Sequence, residues 1–404
     1  MKILFIRSLN PYFESSASAN RYSGLIDGLL GQGAEVTLVV TQGYNNFNEY
    51  KLKGKLDEGN NLEIKYLVPT FHHNIWLRRI NVYLLSSVFQ FIINVRLRRY
   101  FSSNFDIVWL TYEKKILTSF CKYKEYVRGK TLIELNEYND LHLNEPNKEN
   151  VLHIRSAKKE NQVFLNALKK IDLLAVMTNA LIKHYKLLSK PDALFFHLPM
   201  TVDIKRFLNI KTESFMYKQP YIAYTGTFNN QKDGVDVLIH AFARIADKYP
   251  NHKLYLAGFY YYDVTMQKEL IEKYKLKDRV IYIDAIVKDK IPVFIKNAEL
   301  LVMARPNSRQ AQGGFPTKLG EYLATGNPVC VTCVGEIPEY LEDNVSAFMA
   351  EPGNVDSFVD AMHRALSNKE DAKRTGLNGL KIAEENFSLD LQSKRLFEFL
   401  KENI

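Results

Sequence analysis

The sequence predicts an α/β fold made of two Rossmann-like domains, each a doubly wound parallel sheet. Apolar, β-branched runs alternate with helical patterns along nearly the whole chain, and the alternation restarts at Pro220. The 404 residues also exceed what one core usually holds, since domains typically contain about 100–200 residues. Strand–helix alternation indicates parallel strands joined by right-handed crossovers. We expect the boundary near 200–218, where the sequence is polar and weakly patterned.

The individual elements follow from their periodicity. Residues 2–7 form an apolar strand pattern, and Tyr22, Leu25, Ile26, Leu29 and Leu30 then share one helical face, which ends at Gly33. Further strands in the N-terminal half are predicted at 35–40, 62–68, 105–110, 131–135, 172–177 and 193–198. After Pro220 the pattern predicts a helix at 235–246 and strands at 221–225, 254–257, 280–283, 300–303 and 329–332. We therefore predict an N-terminal domain, 1–200, a C-terminal domain, 201–385, and a C-terminal helical segment, 386–404, that packs back on the N-terminal domain.

Composition excludes several classes of protein. A hydrophobic content of 46% with 25% charged residues is typical of globular chains. No apolar run reaches the roughly 18–20 residues of a membrane span, and the apolar stretch at the N-terminus is too short for a signal peptide. We therefore expect a cytoplasmic protein.

The three cysteines do not predict a metal or redox site. Cys330 and Cys333 form a C-x-x-C within an apolar strand pattern, where residues three apart point to opposite faces. No second cysteine or histidine pair completes a zinc site. We expect neither a metal nor a cofactor.

Several nucleotide-binding motifs are missing from the sequence. A dinucleotide-binding site typically has G-x-G-x-x-G after the first strand, but residues 8–16 contain no glycine. No G-x-x-x-x-G-K-[ST] and no Asp-x-Asp occurs either. Dinucleotide oxidoreductases, P-loop phosphoryl transfer and a metal–diphosphate clamp therefore lack their characteristic ligands.

Residues 305–329 carry the most informative pattern. Gly313 and Gly314 permit close approach of the backbone, and Pro316 suits a first helical turn. The N–H groups from Thr317 onward would face an anion with the helix dipole behind them, as a diphosphate requires. Glu321, about one turn further on, can accept hydrogen bonds from a ribose diol. An ordinary loop–helix–strand unit remains the alternative interpretation.

The stretch Gly-Gly-Phe-Pro-Thr-Lys-Leu-Gly-Glu at 313–321 resembles the donor-site signature of the GT4 family of retaining glycosyltransferases. Residues 224–242, 256–258 and 199–207 resemble further segments of that family. The resemblance implies a GT-B fold, in which two Rossmann-like domains face across a cleft. It also implies transfer of a sugar from a nucleotide-diphospho-sugar, such as a UDP- or GDP-sugar, to an acceptor hydroxyl. Carried over residue by residue, it gives these donor-binding residues: Glu321, Gly313, Gly314, Phe315, Pro316, Thr317, Lys318, Leu319, Gly226, Thr227 and Ser16.

The sequence also departs from the family pattern. Many members have Glu-x₇-Glu, but the position eight residues before Glu321 is Gly313. The common Gly-Arg-Leu is here Gly-Thr-Phe at 226–228, so its phosphate-binding Arg is missing. Lys232 matches the nearby phosphate-binding Lys, and Arg305 can replace the lost charge.

In the N-terminal domain, Ser15–Ser18 stand in place of a Gly-Gly loop. The family often has a His-Asp or His-Glu near the sugar, and Asn136 and Glu137 occupy that position here. The predicted catalytic residues are therefore Lys232, Arg305 and Glu137. A nucleotide-sugar epimerase and a donor-binding protein without transferase activity remain the alternatives, and the missing Glu and Arg motivate the second.

The net charge of +9 lies entirely in the N-terminal half. Residues 1–200 contain 27 Lys and Arg against 18 Asp and Glu, whereas residues 201–404 contain 27 of each. Residues 76–101 place Arg78 and Arg79 before an apolar segment, and Arg96, Arg98 and Arg99 near its end. A core helix with solvated ends is one interpretation. The other is contact with anionic lipid at the inner face of the cell membrane. We thus expect a glycan or lipid-linked glycan as acceptor, a role in cell-surface polysaccharide or glycolipid assembly, and no nucleic-acid partner.

Overall fold

The computed structural model describes residues 1–14, 16–43, 49, 61–68, 76, 86–139, 151–208, 210, 219–259, 264–284 and 286–404. Ser15, Arg78, Arg79 and, within the polar segment 201–217, residues 209 and 211–217 thus lie outside the described residues. The chain divides into two compact units. Met1–Leu198 together with Gln392–Ile404 form the first, and Pro199–Leu391 form the second.

A seven-stranded parallel sheet forms the centre of the first unit, in the order β3-β2-β1-β4-β5-β6-β7. Its strands are β1 (Lys2–Arg7), β2 (Glu35–Val40), β3 (Leu62–Tyr66), β4 (Ile107–Leu110), β5 (Lys130–Leu135), β6 (Leu173–Val176) and β7 (Leu194–His197). The strand order reverses between β1 and β4. The described helices of this unit are α1 (Ala17–Gly31), α2 (Ser86–Phe101), α3 (Lys114–Tyr123), α4 (Val151–Leu168) and α5 (Asn179–Lys186).

The second unit repeats this architecture with six parallel strands in the order β10-β9-β8-β11-β12-β13. The strands are β8 (Tyr221–Thr227), β9 (Lys253–Phe259), β10 (Val280–Ile283), β11 (Leu300–Met303), β12 (Val329–Thr332) and β13 (Phe348–Ala350). The described helices are α6 (Lys205–Leu208), α7 (Asn230–Asp233), α8 (Val235–Ile245), α9 (Thr265–Lys273), α10 (Ile291–Lys296), α11 (Arg309–Gly313), α12 (Thr317–Ala324), α13 (Ile337–Tyr340), α14 (Val355–Ser367) and α15 (Lys369–Ile382). Here the order reverses between β8 and β11. The predicted α/β class with two doubly wound parallel sheets is confirmed.

The end of the chain differs in detail from the prediction. A single helix was expected over 387–404, but a π-helical turn, Ala383–Phe387, comes first and α16 spans Leu389–Glu402. Backbone pairing with a distant segment explains the break, because the Val202 N–H donates to the Phe387 carbonyl and the Leu389 N–H donates to the Val202 carbonyl. The strand β13 was not predicted, since three residues are too few to show a periodicity.

The C-terminal residues Gln392–Ile404 belong to the first unit, as the sequence predicted for the last helix. The Phe399 ring stacks on Phe196 with centroids 4.9 Å apart. Gly28 allows α1 and α16 to pack closely, because a Cβ at this position would lie 2.1 Å from Ser393 Oγ on α16. Aromatic stacking and this close helix contact therefore hold α16 on the first unit.

The C-x-x-C pair behaves as the strand geometry predicted. Cys330 is buried within β12 and Cys333 is exposed just after it, and both are free thiols. Burial raises the pKa of each thiol, so neither is an activated thiolate.

Candidate functional site

The candidate donor site lies where the strand order of the second sheet reverses. Because β8 and β11 are neighbours and their crossovers leave in opposite directions, the loops after them bound a crevice at the carboxyl edge. The loop after β8 carries Lys232, and the loop after β11 carries Arg305 and the glycines before α12. The fold thus brings two segments to the same edge of the sheet, although about seventy residues of sequence, which form the crossovers, separate them.

The Lys232 loop is held by local capping and by one glycine. The Asn229 side chain accepts a hydrogen bond of 2.9 Å from the Lys232 N–H and so caps the short helix α7. Gly234 follows in the left-handed conformation, with φ +65°. A Cβ at Gly234 would lie 1.9 Å from the Ala304 carbonyl oxygen, so only glycine lets this loop pack on the end of β11.

Gly226 creates the space for a lysine at the end of β8. A Cβ at Gly226 would lie 2.0 Å from Lys318 Nζ and 2.3 Å from Tyr224 Oη. The Lys318 ammonium group also lies 5.4 Å from the centroid of the Tyr224 ring, a cation–π distance. Lys318 therefore reaches back from α12 and packs on the backbone of the neighbouring strand.

The charge around Lys318 is predominantly positive. Burial lowers the pKa of the Lys318 ammonium, and the positive charges of Lys232 and Arg305 lower it further. The carboxylates of Asp233 and Glu321 raise this pKa, but the net shift is downward. Asp233 is engaged elsewhere, since its Oδ2 accepts a hydrogen bond of 2.6 Å from the Thr227 hydroxyl. Three cations thus gather at one strand end, and a bound anion would relieve their mutual repulsion.

Arg305 stabilises the loop after β11 and also contributes to the positive charge near Lys318. Its side chain is buried, and Nη1 donates to the Gly314 carbonyl oxygen at 3.3 Å. Its own carbonyl accepts a hydrogen bond of 2.8 Å from the Thr332 hydroxyl. Between Arg305 and Gly314, α11 ends at Gly313, which is buried. Arg305 therefore fixes the course of the glycine loop.

The helix α12 presents its N-terminus to this loop. Pro316 is the extended N-cap residue, one position before the first turn in which it was expected, and no side chain caps the helix. The first N–H groups of the helix, beginning at Thr317, therefore have no partner within the helix. The Thr225 N–H donates to Tyr322 Oη at 2.7 Å, which ties α12 to β8. The N–H groups and the dipole at this end of α12 therefore favour binding of an anion.

Two residues of the predicted donor signature have structural side chains. The Phe315 ring is buried, with the centroids of Phe387 and Tyr340 at 5.2 and 5.7 Å. The Leu319 side chain is fully buried, and its N–H donates to the Pro316 carbonyl at 3.0 Å. Their side chains anchor the loop and α12, and a donor contact through the backbone of 313–317 stays a prediction.

Glu321 has a partner that the sequence analysis did not predict. Arg206 Nη1 lies 3.3 Å from Glu321 Oε1, and both side chains are a little over a quarter exposed. The ion pair orients the carboxylate, and a carboxylate has enough acceptor positions to take both an ion pair and hydrogen bonds from a diol. The two residues are 115 positions apart. The segment 199–207, which ends beside Arg206, was the signal that could have pointed to it.

In the first unit, Ser16 is the N-cap of α1. Its hydroxyl accepts from the Ala19 N–H at 3.2 Å and donates to Glu14 Oε1 at 2.6 Å. Glu14 also lies 3.0 Å from Arg7 Nη2, and this guanidinium donates to the Ser18 hydroxyl at 3.2 Å. The Glu14 carboxylate thus lies at the N-terminus of α1, beside Ser16, which was predicted to bind the donor.

Glu137 lies just after β5, at the carboxyl edge of the first sheet, and its side chain is exposed. Its backbone is held firmly, because Tyr185 Oη donates to the Glu137 carbonyl at 2.8 Å and accepts from the Asn139 N–H at 3.0 Å. The neighbouring Asn136 Oδ1 is buried and accepts no hydrogen bond from the described residues. Both candidates are therefore presented on a rigid loop, and the role of Glu137 stays a prediction.

The predicted residues of the second unit are thus brought together, whereas Ser16 and Glu137 follow separate strands of the first unit. Within the described ranges, no group of three or more His, Cys, Asp or Glu side chains is arranged to hold a metal ion. The cluster formed by Lys232, Arg305 and Lys318 concentrates the positive charge of the candidate site.

Comparison with known proteins finds a family match within the second unit. Residues 206–382 match the model of the family described as glycosyl transferases group 1. The chain is 29% identical over 159 residues to an uncharacterized glycosyltransferase, MJ1178, of Methanocaldococcus jannaschii. That alignment covers 39% of this chain and 41% of the relative, so less than half of either protein is matched.

Two solved structures resemble the chain over its whole length. They are sucrose-phosphate synthase from Thermosynechococcus elongatus, with a TM-score of 0.72 and 16% identity, and Anabaena Alr3699/HepE in complex with UDP and glucose, with a TM-score of 0.72 and 15% identity. Each covers 100% of both chains. At this identity the likeness establishes the fold, which is GT-B. The chain therefore has the GT-B fold, and its residues 206–382 match the model of the glycosyl transferases group 1 family.

Proposed function

We propose that the protein is a retaining glycosyltransferase that moves a sugar from a nucleoside-diphospho-sugar to an acceptor hydroxyl. The observation that carries the proposal is the cluster of Lys232, Arg305 and Lys318 beside the N-terminus of α12. Three cations and free helical N–H groups at the switch point of a parallel sheet form a site for a diphosphate.

The same groups would assist the departure of the leaving group. When the bond between the sugar and the diphosphate breaks, negative charge grows on the β-phosphate. Cations and backbone donors that are already in place stabilise this charge without reorganising, which is the usual large contribution of electrostatic catalysis. We propose that this transfer needs no metal, because the cluster supplies the positive charge itself.

The rest of the donor is assigned as follows. Glu321, oriented by Arg206, accepts the ribose hydroxyls, and the backbone of Gly313 and Gly314 lies along the sugar, where the family pattern would have a carboxylate. UDP is the first nucleotide to test, since a full-length structural neighbour binds it. We assign no protein nucleophile, because none of the described carboxylates of the second unit is identified as facing the transferred sugar.

The test is release of the nucleoside diphosphate from a panel of UDP- and GDP-sugars, measured with and without acceptor. A transferase releases it only when acceptor is present. Release without acceptor indicates an epimerase or hydrolase, and tight binding without release indicates a protein that has lost transfer. Either of these results overturns the proposal.

We further propose that the acceptor is a lipid-linked glycan reached at the cytoplasmic face of a membrane, in polysaccharide or glycolipid assembly. No helix among the described residues is long and apolar enough to cross a membrane. Helix α2 instead carries an apolar surface stripe, since Val88, Phe91 and Val95 are 52%, 69% and 38% exposed. These positions lie three and four residues apart on one face, which suits contact with a bilayer surface.

The arginines at the end of α2 play different roles. Arg98 donates to Tyr126 Oη at 3.0 Å and lies over its ring, and Arg96 donates to the Leu67 carbonyl. Arg99 is exposed. Replacing all three would therefore disturb the fold as well as the surface charge, so the apolar stripe is the better target.

Co-sedimentation with liposomes that contain anionic lipid tests this proposal. Phe91→Ser should weaken binding, whereas Leu187→Ser, at a site 84% exposed in the same unit, should leave it unchanged. Binding should also fall as salt rises, because surface charges are screened. No binding at low salt, or equal binding by both variants, would favour a soluble acceptor.

A further inference from the structure

The first unit contains a pocket of about 360 Å³ at the carboxyl edge of its sheet. Its lining includes Ser8 after β1, Thr41 after β2, Glu113 after β4, and Ile93 from the inner face of α2. The strand order of the sheet reverses between β1 and β4, and open α/β sheets bind ligands in the crevice at that point. The residues assigned to the donor do not line this pocket.

One carboxylate in the pocket is held in a fixed orientation. Glu113 Oε1 accepts a hydrogen bond of 3.1 Å from the Ser8 N–H. The Thr111 hydroxyl lies 3.0 Å from the same oxygen and shares its hydrogen with the Ile6 carbonyl. In the part of the chain that the structure describes, no group donates to Glu113 Oε2. A half-buried carboxylate oxygen in a pocket calls for hydrogen-bond donors from a ligand or water.

The charge and polarity of the lining indicate which ligand fits. Glu113 and Glu160 balance Lys114 and Lys115, and Lys114 Nζ lies 3.1 Å from Glu160 Oε1. This balance gives no preference for a phosphate. The lining combines hydroxyl and amide groups with apolar side chains such as Ile93, and this combination matches a pyranose ring, which has both hydroxyls and C–H faces.

We propose that this pocket binds a neutral hexose ring of the acceptor glycan, with Glu113 Oε2 accepting hydrogen bonds from its hydroxyls. The proposal rests on the proposed function and names its acceptor subsite. Helix α2 contributes Ile93 to the pocket and Val88, Phe91 and Val95 to the surface beyond it. A glycan held in the pocket would therefore lie next to the stripe that is proposed to contact lipid.

Saturation-transfer NMR on the full chain tests the proposal with the methyl glycosides of glucose, galactose, mannose and N-acetylglucosamine, each at about 10 mM, a concentration suited to millimolar affinities. At least one glycoside should give a signal. For that glycoside, Glu113→Gln should raise Kd about tenfold or more, because the variant loses charge-assisted hydrogen bonds. Gln42→Trp, which places a larger side chain in the lining of the pocket, should abolish the signal. The matched control is Glu125→Gln, at an exposed carboxylate outside the pocket, and it should bind as the parent does.

Several outcomes overturn the proposal. These are no signal from any glycoside, a signal that both pocket variants retain, and binding of glucose 1-phosphate alone, which would indicate an anion site. UDP and GDP binding is measured on the same samples. If the parent protein binds nucleotide but no glycoside, only the acceptor pocket is refuted. If the parent binds no nucleotide, the proposed transferase is refuted, and the glycoside signals still decide whether the pocket binds a hexose.

Discussion

Replacing Lys318 by Met should weaken nucleotide binding without destabilising the free protein. Burial and two neighbouring cations disfavour the charged form of Lys318, and none of the described residues forms a hydrogen bond with its ammonium group. Met keeps the length and the apolar stem of the side chain. We expect the melting temperature to stay the same or rise by a few degrees, since a buried charge without full compensation costs stability.

The same substitution should raise the Kd for UDP about 10- to 150-fold. A hydrogen bond to a charged group contributes about 1.5–3 kcal/mol, and each 1.4 kcal/mol is a factor of about ten in affinity. The effect should also depend on pH. Because the pKa of Lys318 is lowered in the free protein and a diphosphate favours the charged form, affinity should fall as pH rises through that pKa.

Titration calorimetry and thermal unfolding measure the two quantities on the same samples. The reasoning requires that affinity falls while stability does not. If Lys318→Met lowered the melting temperature by several degrees and left UDP affinity and its pH dependence unchanged, Lys318 would be a structural residue that packs on Tyr224, and the diphosphate would have to lie elsewhere.

Three further predictions concern other parts of the chain. Glu321→Ala should weaken binding of the nucleoside diphosphate itself by about 1–3 kcal/mol in calorimetry, because the lost contact is to ribose; unchanged affinity would remove Glu321 from the site. Lys232→Ala should lower kcat strongly while the melting temperature is retained, since Lys232 is proposed to act on the leaving diphosphate; near-normal turnover would leave it a surface loop lysine. Burial raises the pKa of Asp172, but hydrogen bonds from Lys190 and Thr131 outweigh it and lower the pKa to about 2. Because this pKa lies below that of an unfolded Asp, Asp172 should stabilise the fold at neutral pH. About 1–2 kcal/mol should be lost as pH falls from about 4 to 2, after a discount for partial exposure. In unfolding experiments at a series of pH values, Asp172→Asn should lose less stability between about pH 4 and pH 2 than the parent protein. If the variant and the parent lost the same stability over this range, the assignment would be contradicted.

The sequence was most informative where a feature depends on neighbours along the chain. The periods of two and of 3.6 residues identify strands and helices, and the restart at Pro220 identifies a second sheet. The segment 313–321 likewise predicts a glycine loop before a helix N-terminus, because glycine and proline act on their own backbone. The sequence patterns did not predict β13, which is too short to show a periodicity. They also did not predict the break before α16, which depends on a backbone partner far along the chain.

The sequence by itself determined the two Rossmann-like units, the motif after β11 and the choice of Lys232, Arg305 and Lys318 as candidates. Tertiary structure alone decided that Lys232 and Arg305 lie near Lys318, that Arg206 orients Glu321, and that Glu113 faces a pocket at the first switch point. The physical reason is that periodicity records which face of an element is buried, and not which distant element covers it. Parallel sheets join strands through long crossovers, so groups that meet at one edge are far apart in the chain.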